Sequence, residues 1–111
     1  MIGATRGIRG GQVWIATAPV DMRKSFDGLA EVVRSFLGHD PLGGNVFVFR
    51  NRSSERVKIL WWDGDGLTIY YKRLERGTFR FPTSKERTVA VDGPQLLRLL
   101  DGLEIVARRA G

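Results

Sequence analysis

Residues 45 to 50 read NVFVFR, and no other run constrains the fold as tightly. Successive side chains on a strand point to opposite faces, so Val46 and Val48 face one way and Phe47 and Phe49 the other. Both faces are apolar. Such a strand belongs in the middle of a sheet that is covered on both sides. The rest of the chain must then supply neighbouring strands and covering elements. Its 111 residues are the commonest size for one domain, and its 42% apolar fraction is an ordinary globular value.

The neighbouring strands are legible. Gln12 to Ala18 sets Val13, Ile15 and Thr17 opposite Trp14 and Ala16, and Pro19 ends it. Asn51 to Glu55 is polar and reads as a turn. Arg56 to Trp62 and Leu67 to Leu74 are strands joined by Asp63-Gly64-Asp65-Gly66, a hairpin signal in which both glycines suit positive φ. Arg76-Gly77 predicts a further turn, Thr78 to Phe81 a short strand stopped by Pro82, and Glu86 to Val91 a last strand.

Two helices provide the cover. Asp21 reads as an N-cap for a helix running to about Leu37, with Phe26, Leu29, Ala30, Val33, Phe36 and Leu37 as its apolar stripe. Gly38 is its stop, with Pro41 shortly beyond. Asp92 caps a second helix, with Pro94 in the first turn and Gln95 at capping-box spacing. Leu96, Leu97, Leu99, Leu100 and Leu103 supply its buried face, and Gly102 ends it. The expected fold is α+β: one domain, a mostly antiparallel sheet of about five or six strands, with one long and one short helix packed on it. Its core is expected to include Phe26, Leu29, Val33, Phe47, Phe49 and Leu97. The domain spans 12 to 106, between a glycine-rich arm (1 to 11) and a basic tail (107 to 111).

Candidate catalytic and metal sites fail on their spacing. Counted from Asp63, a calcium loop would need glycine at position six and glutamate at position twelve, where Thr68 and Leu74 stand. A glycosidase pair needs carboxylates from separate elements across a cleft, whereas Asp63 and Asp65 share one tight turn. His39 follows the first helix, where a charge would suit the helix dipole, and has no nucleophile in a recognisable context. The glycines at 7, 10 and 11 precede a strand rather than a helix, and no phosphate-loop motif is present. Neither catalytic residues, a metal site nor a cofactor is expected. Cysteine is absent, so no disulfide or thiolate site exists and a reducing cytoplasm is the simplest setting. No apolar run has the length of a signal peptide or a membrane span.

Charge is the positive signal. Eighteen Lys and Arg against twelve Asp and Glu give a net charge of +6, and only four of the eighteen are lysine (Lys24, Lys58, Lys72, Lys85). Arginine forks match phosphate and stack on rings, which points to nucleic acid. A GC-rich genome also favours arginine codons, but it leaves the net charge unexplained. Arg50, Arg52, Arg56 and Lys58 cluster around one turn, and Lys72, Arg73, Arg76 and Arg80 around another. The proposed hairpin brings both runs to the end away from Asp63 and Asp65, with Lys58 and Lys72 close to cross-strand neighbours. Arg23 and Lys24, at the start of the first helix, add to the patch. These ten are the candidate nucleic-acid-binding residues. Trp61, Trp62, Tyr70 and Tyr71 are open to two readings, cross-strand core packing or a base-stacking platform.

The blocks DMRKSFDGLA and KILWWDGDGL, within VDMRKSFDGLAEVV and NVFVFRNRSSERVKILWWDGDGLTIYYKRLERGTFRFP, resemble the small accessory proteins, commonly called TnpB, of the sixty-six family of bacterial insertion sequences. The resemblance covers about residues 13 to 105 and leaves out the arm and the last few residues. It implies a role in transposition beside a separate, larger transposase encoded by the same element and thought to cleave and join strands. It carries over no catalytic residues. The RNA-guided nucleases that share the TnpB name need a large nuclease fold, which 111 residues do not hold. Composition and resemblance together lead to the expectation of a non-enzymatic, cytoplasmic accessory factor that binds the DNA of element ends. The alternative is a protein-interaction subunit of the transposase complex with no direct DNA contact.

Overall fold

A computed structural model describes residues 11 to 101. The expected tail, all of the expected arm except Gly11, the Gly102 stop and Leu103 lie outside the described residues. Five strands, β1 (Val13–Ala16), β2 (Val46–Arg50), β3 (Arg56–Trp62), β4 (Leu67–Arg73) and β5 (Thr88–Val91), form one sheet in the order β4-β3-β2-β1-β5. β2 lies at its centre, and Val46, Phe47, Val48 and Phe49 are all fully buried. The β1–β2 pair is parallel and the other three pairings are antiparallel. A parallel pair needs a crossover, and the chain between β1 and β2 contains the first helix.

That helix, α1 (Phe26–Glu31), continues as a π-helical segment (Val32–Leu37). Leu29 and Val33 pack on Phe47, Phe49, Leu60 and Ala16, on one face of the sheet. The second helix, α2 (Gly93–Leu100), lays Leu96, Leu99 and Leu100 on the other face, against Val48, Ile59, Trp61 and Phe79. The sheet is thus covered on both sides, as the two-sided NVFVFR run demands.

Several local expectations are corrected. Asp21 does not cap α1. Its carboxylate accepts from the Arg23 amide (2.9 Å) and from the Arg23 guanidinium (2.7 Å), and its carbonyl accepts from the Lys24 amide (3.0 Å). Captured two residues on, it closes a turn, and the helix starts after Ser25. Phe26, expected in the core, is 45% exposed, as is Leu97 at 41%. Phe36 also leaves the stripe, because the wider i→i+5 winding of the π segment turns the chain less per residue. The Arg87 guanidinium covers it instead, 4.7 Å from the ring. Thr78 to Phe81 forms no strand: the Phe79 amide donates to the Ser54 carbonyl (2.7 Å) and its ring is buried, but no ladder forms. Within the hairpin turn only Gly64 has positive φ (90°), while Gly66 accepts from the Asp63 amide (2.9 Å). Gly38 ends the first helix in the left-handed region (φ 73°), and Asp92 and Gln95 form the expected capping box.

Candidate nucleic-acid interface

β3 and β4 pair in continuous register from Arg56↔Arg73 to Trp62↔Leu67. The Asp63–Gly66 turn closes one end of this hairpin. Both basic runs lie at the other end, where the Leu74 amide donates to the Glu55 carbonyl (2.9 Å) and ties the two turns together. The sheet is therefore polarised along its strands, acidic at the hairpin turn and basic opposite.

The ten predicted residues divide by what their charges touch. Three are committed to backbone carbonyls. Arg50 donates to the Thr17 carbonyl (2.9 Å) and lies 5.7 Å from the Phe81 ring centroid. Lys58 is buried, and its Nζ donates to the carbonyls of Met22 (2.8 Å) and Lys24 (2.7 Å). Lys72 Nζ donates to the Leu100 carbonyl (3.0 Å) at the end of α2. Lys58 and Lys72 were expected to be near each other. They occupy successive registers, Lys58↔Tyr71 and Val57↔Lys72, and so point to opposite faces.

Two more have acidic partners. Arg23 pairs with Asp21, and Arg73 Nη2 lies 3.3 Å from Glu75. The Arg23 hydrogen bonds, from side chain first and backbone second, hold the Asp21 carboxyl at about 2, below its ordinary 3.8. The same pair raises Arg23 above its ordinary value. Arg56 stands directly opposite Arg73 on the α1 face, and among the described residues its guanidinium donates to the Tyr71 hydroxyl (3.3 Å). Lys24, Arg52, Arg76 and Arg80 are exposed and make no side-chain hydrogen bond or ion pair among the described residues.

Two open grooves flank the β2–β3 turn. One, of about 420 Å³, runs between Pro19–Met22 and Asn51–Ser53 and carries Arg52 and Arg56. The other, of about 880 Å³, carries Arg80 with the hydroxyls of Thr17, Ser53, Ser54, Thr78, Thr83 and Ser84. The loop before α1 thus joins the basic end, held there by Lys58.

The aromatic pairs separate as well. Trp61 is buried in the α2-side core and Trp62 is half-buried. Tyr70 packs against the α2-side core. Tyr71 is 48% exposed, with its hydroxyl on Arg56 and Lys58 Nζ 4.7 Å from its ring centroid. Alternation alone does not distinguish it from Tyr70; only the register does. His39 packs its ring against Trp14 (4.6 Å) and Phe47 (5.7 Å). Among the described residues, no group of His, Cys, Asp and Glu is arranged to hold a metal, and no helix is long and apolar enough to cross a membrane.

These features define a small α+β domain with a basic, arginine-lined sheet end. The chain belongs to the IS66 Orf2-like protein family (TnpB_IS66), which it matches over residues 11–110. Membership makes it an insertion-sequence-associated accessory protein of transposition. It is similar to two uncharacterized proteins of Sinorhizobium fredii (strain NBRC 101917 / NGR234). One, y4hO, is 44% identical over 93 residues, covering 84% of this chain and 81% of that protein. The other, y4jC, is 38% identical over 104 residues, covering 94% and 86%. No solved structure matches.

Proposed function

We propose that the protein is a non-enzymatic, cytoplasmic factor that binds the DNA backbone at element ends and assists the separate transposase. Arg52, Arg56, Arg73, Arg76 and Arg80 contact phosphate, with Arg23 and Lys24 at the flank and Tyr71 as the exposed ring beside them. Arg50, Lys58 and Lys72 hold the frame through their carbonyl contacts. The observation that carries this reading is the Arg56↔Arg73 pair. Like charges directly opposed across strands are destabilising, and a phosphate between the two guanidinium groups would relieve the repulsion.

The test is fluorescence anisotropy with element-end duplex across a salt series. About five neutralised phosphates give a log–log slope of about −4 to −5. Arg52→Ala and Arg76→Ala each reduce its magnitude by about one and weaken all sequences alike. Arg98→Ala, on α2, leaves it unchanged. If the variants at 52 and 76 alter neither affinity nor slope, the DNA reading falls. A protein-interaction subunit without DNA contact then takes its place. That second reading has its own support in an apolar groove of about 360 Å³ lined by Ala16, Pro19, Val20, Val32 and Phe36.

A further inference from the structure

The two edges of the sheet differ. β5 is four residues long, and the Gln12 side chain and Thr17 tie its ends to β1. β4 is seven residues long, has no proline, and pairs with β3 without a bulge. The Asp63–Gly66 and Glu55–Leu74 hydrogen bonds fix the parity of the β3–β4 ladder. Gly66, Thr68, Tyr70, Lys72 and Leu74 turn their backbone groups toward β3. The amides and carbonyls of Leu67, Ile69, Tyr71 and Arg73 therefore point outward. Among the described residues none of these outward groups has a partner. A long, regular, unpaired edge is a template for another strand.

We infer that this edge is a self-association surface, and that two copies of the chain pair β4 to β4 antiparallel about a two-fold axis at Ile69. Parity allows only registers that place outward-facing residues opposite one another, and charge selects among them. With Ile69 opposite its own copy, Leu67 meets Tyr71 of the partner, and Thr68 meets the partner's Tyr70. Asp65, in the turn just before β4, then lies at the end of the pair beside Arg73 of the other chain, whose guanidinium otherwise meets only the exposed Glu75 (3.3 Å) among the described residues. A shift of one chain by two residues in one direction sets Asp65 against Glu75 and loses both attractive pairs; the opposite shift keeps an acid, Asp63, against Arg73 but pairs only Leu67 to Ile69 of β4 with its copy. The polarity of the hairpin, acid at its turn and base at its far end, is what an antiparallel copy complements. Leu67 and Ile69, which pack on the α1-side core, would extend that core across the axis. The result is one continuous sheet with the two arginine ends far apart. The inference shares Tyr71 and Arg73 with the DNA reading but does not rest on it: Asp65, Leu67 and Ile69 have no part in that reading, and sedimentation is read without DNA.

Sedimentation velocity on the full chain tests it, with circular dichroism melts checking that each variant is folded. The wild type sediments as a dimer across the micromolar range. Asp65→Arg and Arg73→Asp each replace two attractive pairs by two repulsive ones and weaken self-association by about tenfold or more. Both side chains are exposed, so folding is spared. An equimolar mixture of the two variants restores the dimer, because each repulsive chain complements the other. A wild type that remains monomeric, or a mixture that stays as dissociated as its components, overturns the inference.

Discussion

Lys58 is the one buried charged side chain among the described residues, at 7% exposure. In sequence it is one more cation in a basic run. In the fold it anchors the loop before α1 to β3 through two carbonyls. Replacing it with methionine keeps the apolar stem but leaves both carbonyls without their donor. Lost charged hydrogen bonds and unsatisfied buried groups cost about 2–4 kcal/mol together. Lys58→Met should therefore lower stability by that amount in urea unfolding followed by tryptophan fluorescence. Arg52→Ala, fully at the surface, should stay within about 0.5 kcal/mol. Equal midpoints for the two variants would show that the carbonyl contacts add nothing. Charge spacing could not reveal this division, since whether an ammonium meets water or a carbonyl depends on what folds over it.

The two helices show how far a local signal reaches. Asp21 and Asp92 carry the same cap signature. At Asp92 the cap forms: its carboxylate accepts from the Gln95 amide (2.8 Å), and the Gln95 side chain accepts from the Asp92 amide (2.9 Å). At Asp21 the guanidinium of Arg23 captures the carboxylate, and α1 begins after Ser25 with no side-chain cap. Asp92→Ala should then cost about 0.5–2 kcal/mol, read as a lowered thermal midpoint by circular dichroism. A change below measurement error would mean that packing of Leu96, Leu99 and Leu100 alone holds α2. Alternation and turn residues act locally, so β2, β3 and β4 fall within one residue of their expected limits, β1 and β5 within two, while 78 to 81 forms no strand. The π winding of Val32–Leu37 is not legible in the same way, because its apolar spacing fits an α-helical stripe.

At the scale of the whole molecule, the sheet is a layer between two unlike helices, and β2 is its centre. Phe47 faces the α1 side and is fully buried. Phe47→Ala removes a large side chain that the surrounding layer cannot refill and should cost about 3–5 kcal/mol. Phe26→Ala on the exposed flank of α1 should cost within about 0.5 kcal/mol, the usual range for a surface change. Denaturant melts of the pair would refute the two-sided core if Phe47→Ala cost no more than Phe26→Ala. The same layering sends Lys58 and Lys72 to opposite covers while Arg56 and Arg73 remain neighbours at the strand ends.

The sequence by itself determined that β2 is central, that β3 and β4 form a hairpin, and that both basic runs share one sheet end. Each of these follows from periodicity or from turn chemistry, whose range is a few residues. Only the tertiary structure decided which cations are spent on carbonyls, which of Tyr70 and Tyr71 is exposed, and which sheet edge is unpaired. Those outcomes depend on contacts between residues far apart in the chain, such as Lys58 with Met22 and Lys72 with Leu100. A one-residue step in strand register changes the face of every side chain, and no local pattern fixes what packs over that face.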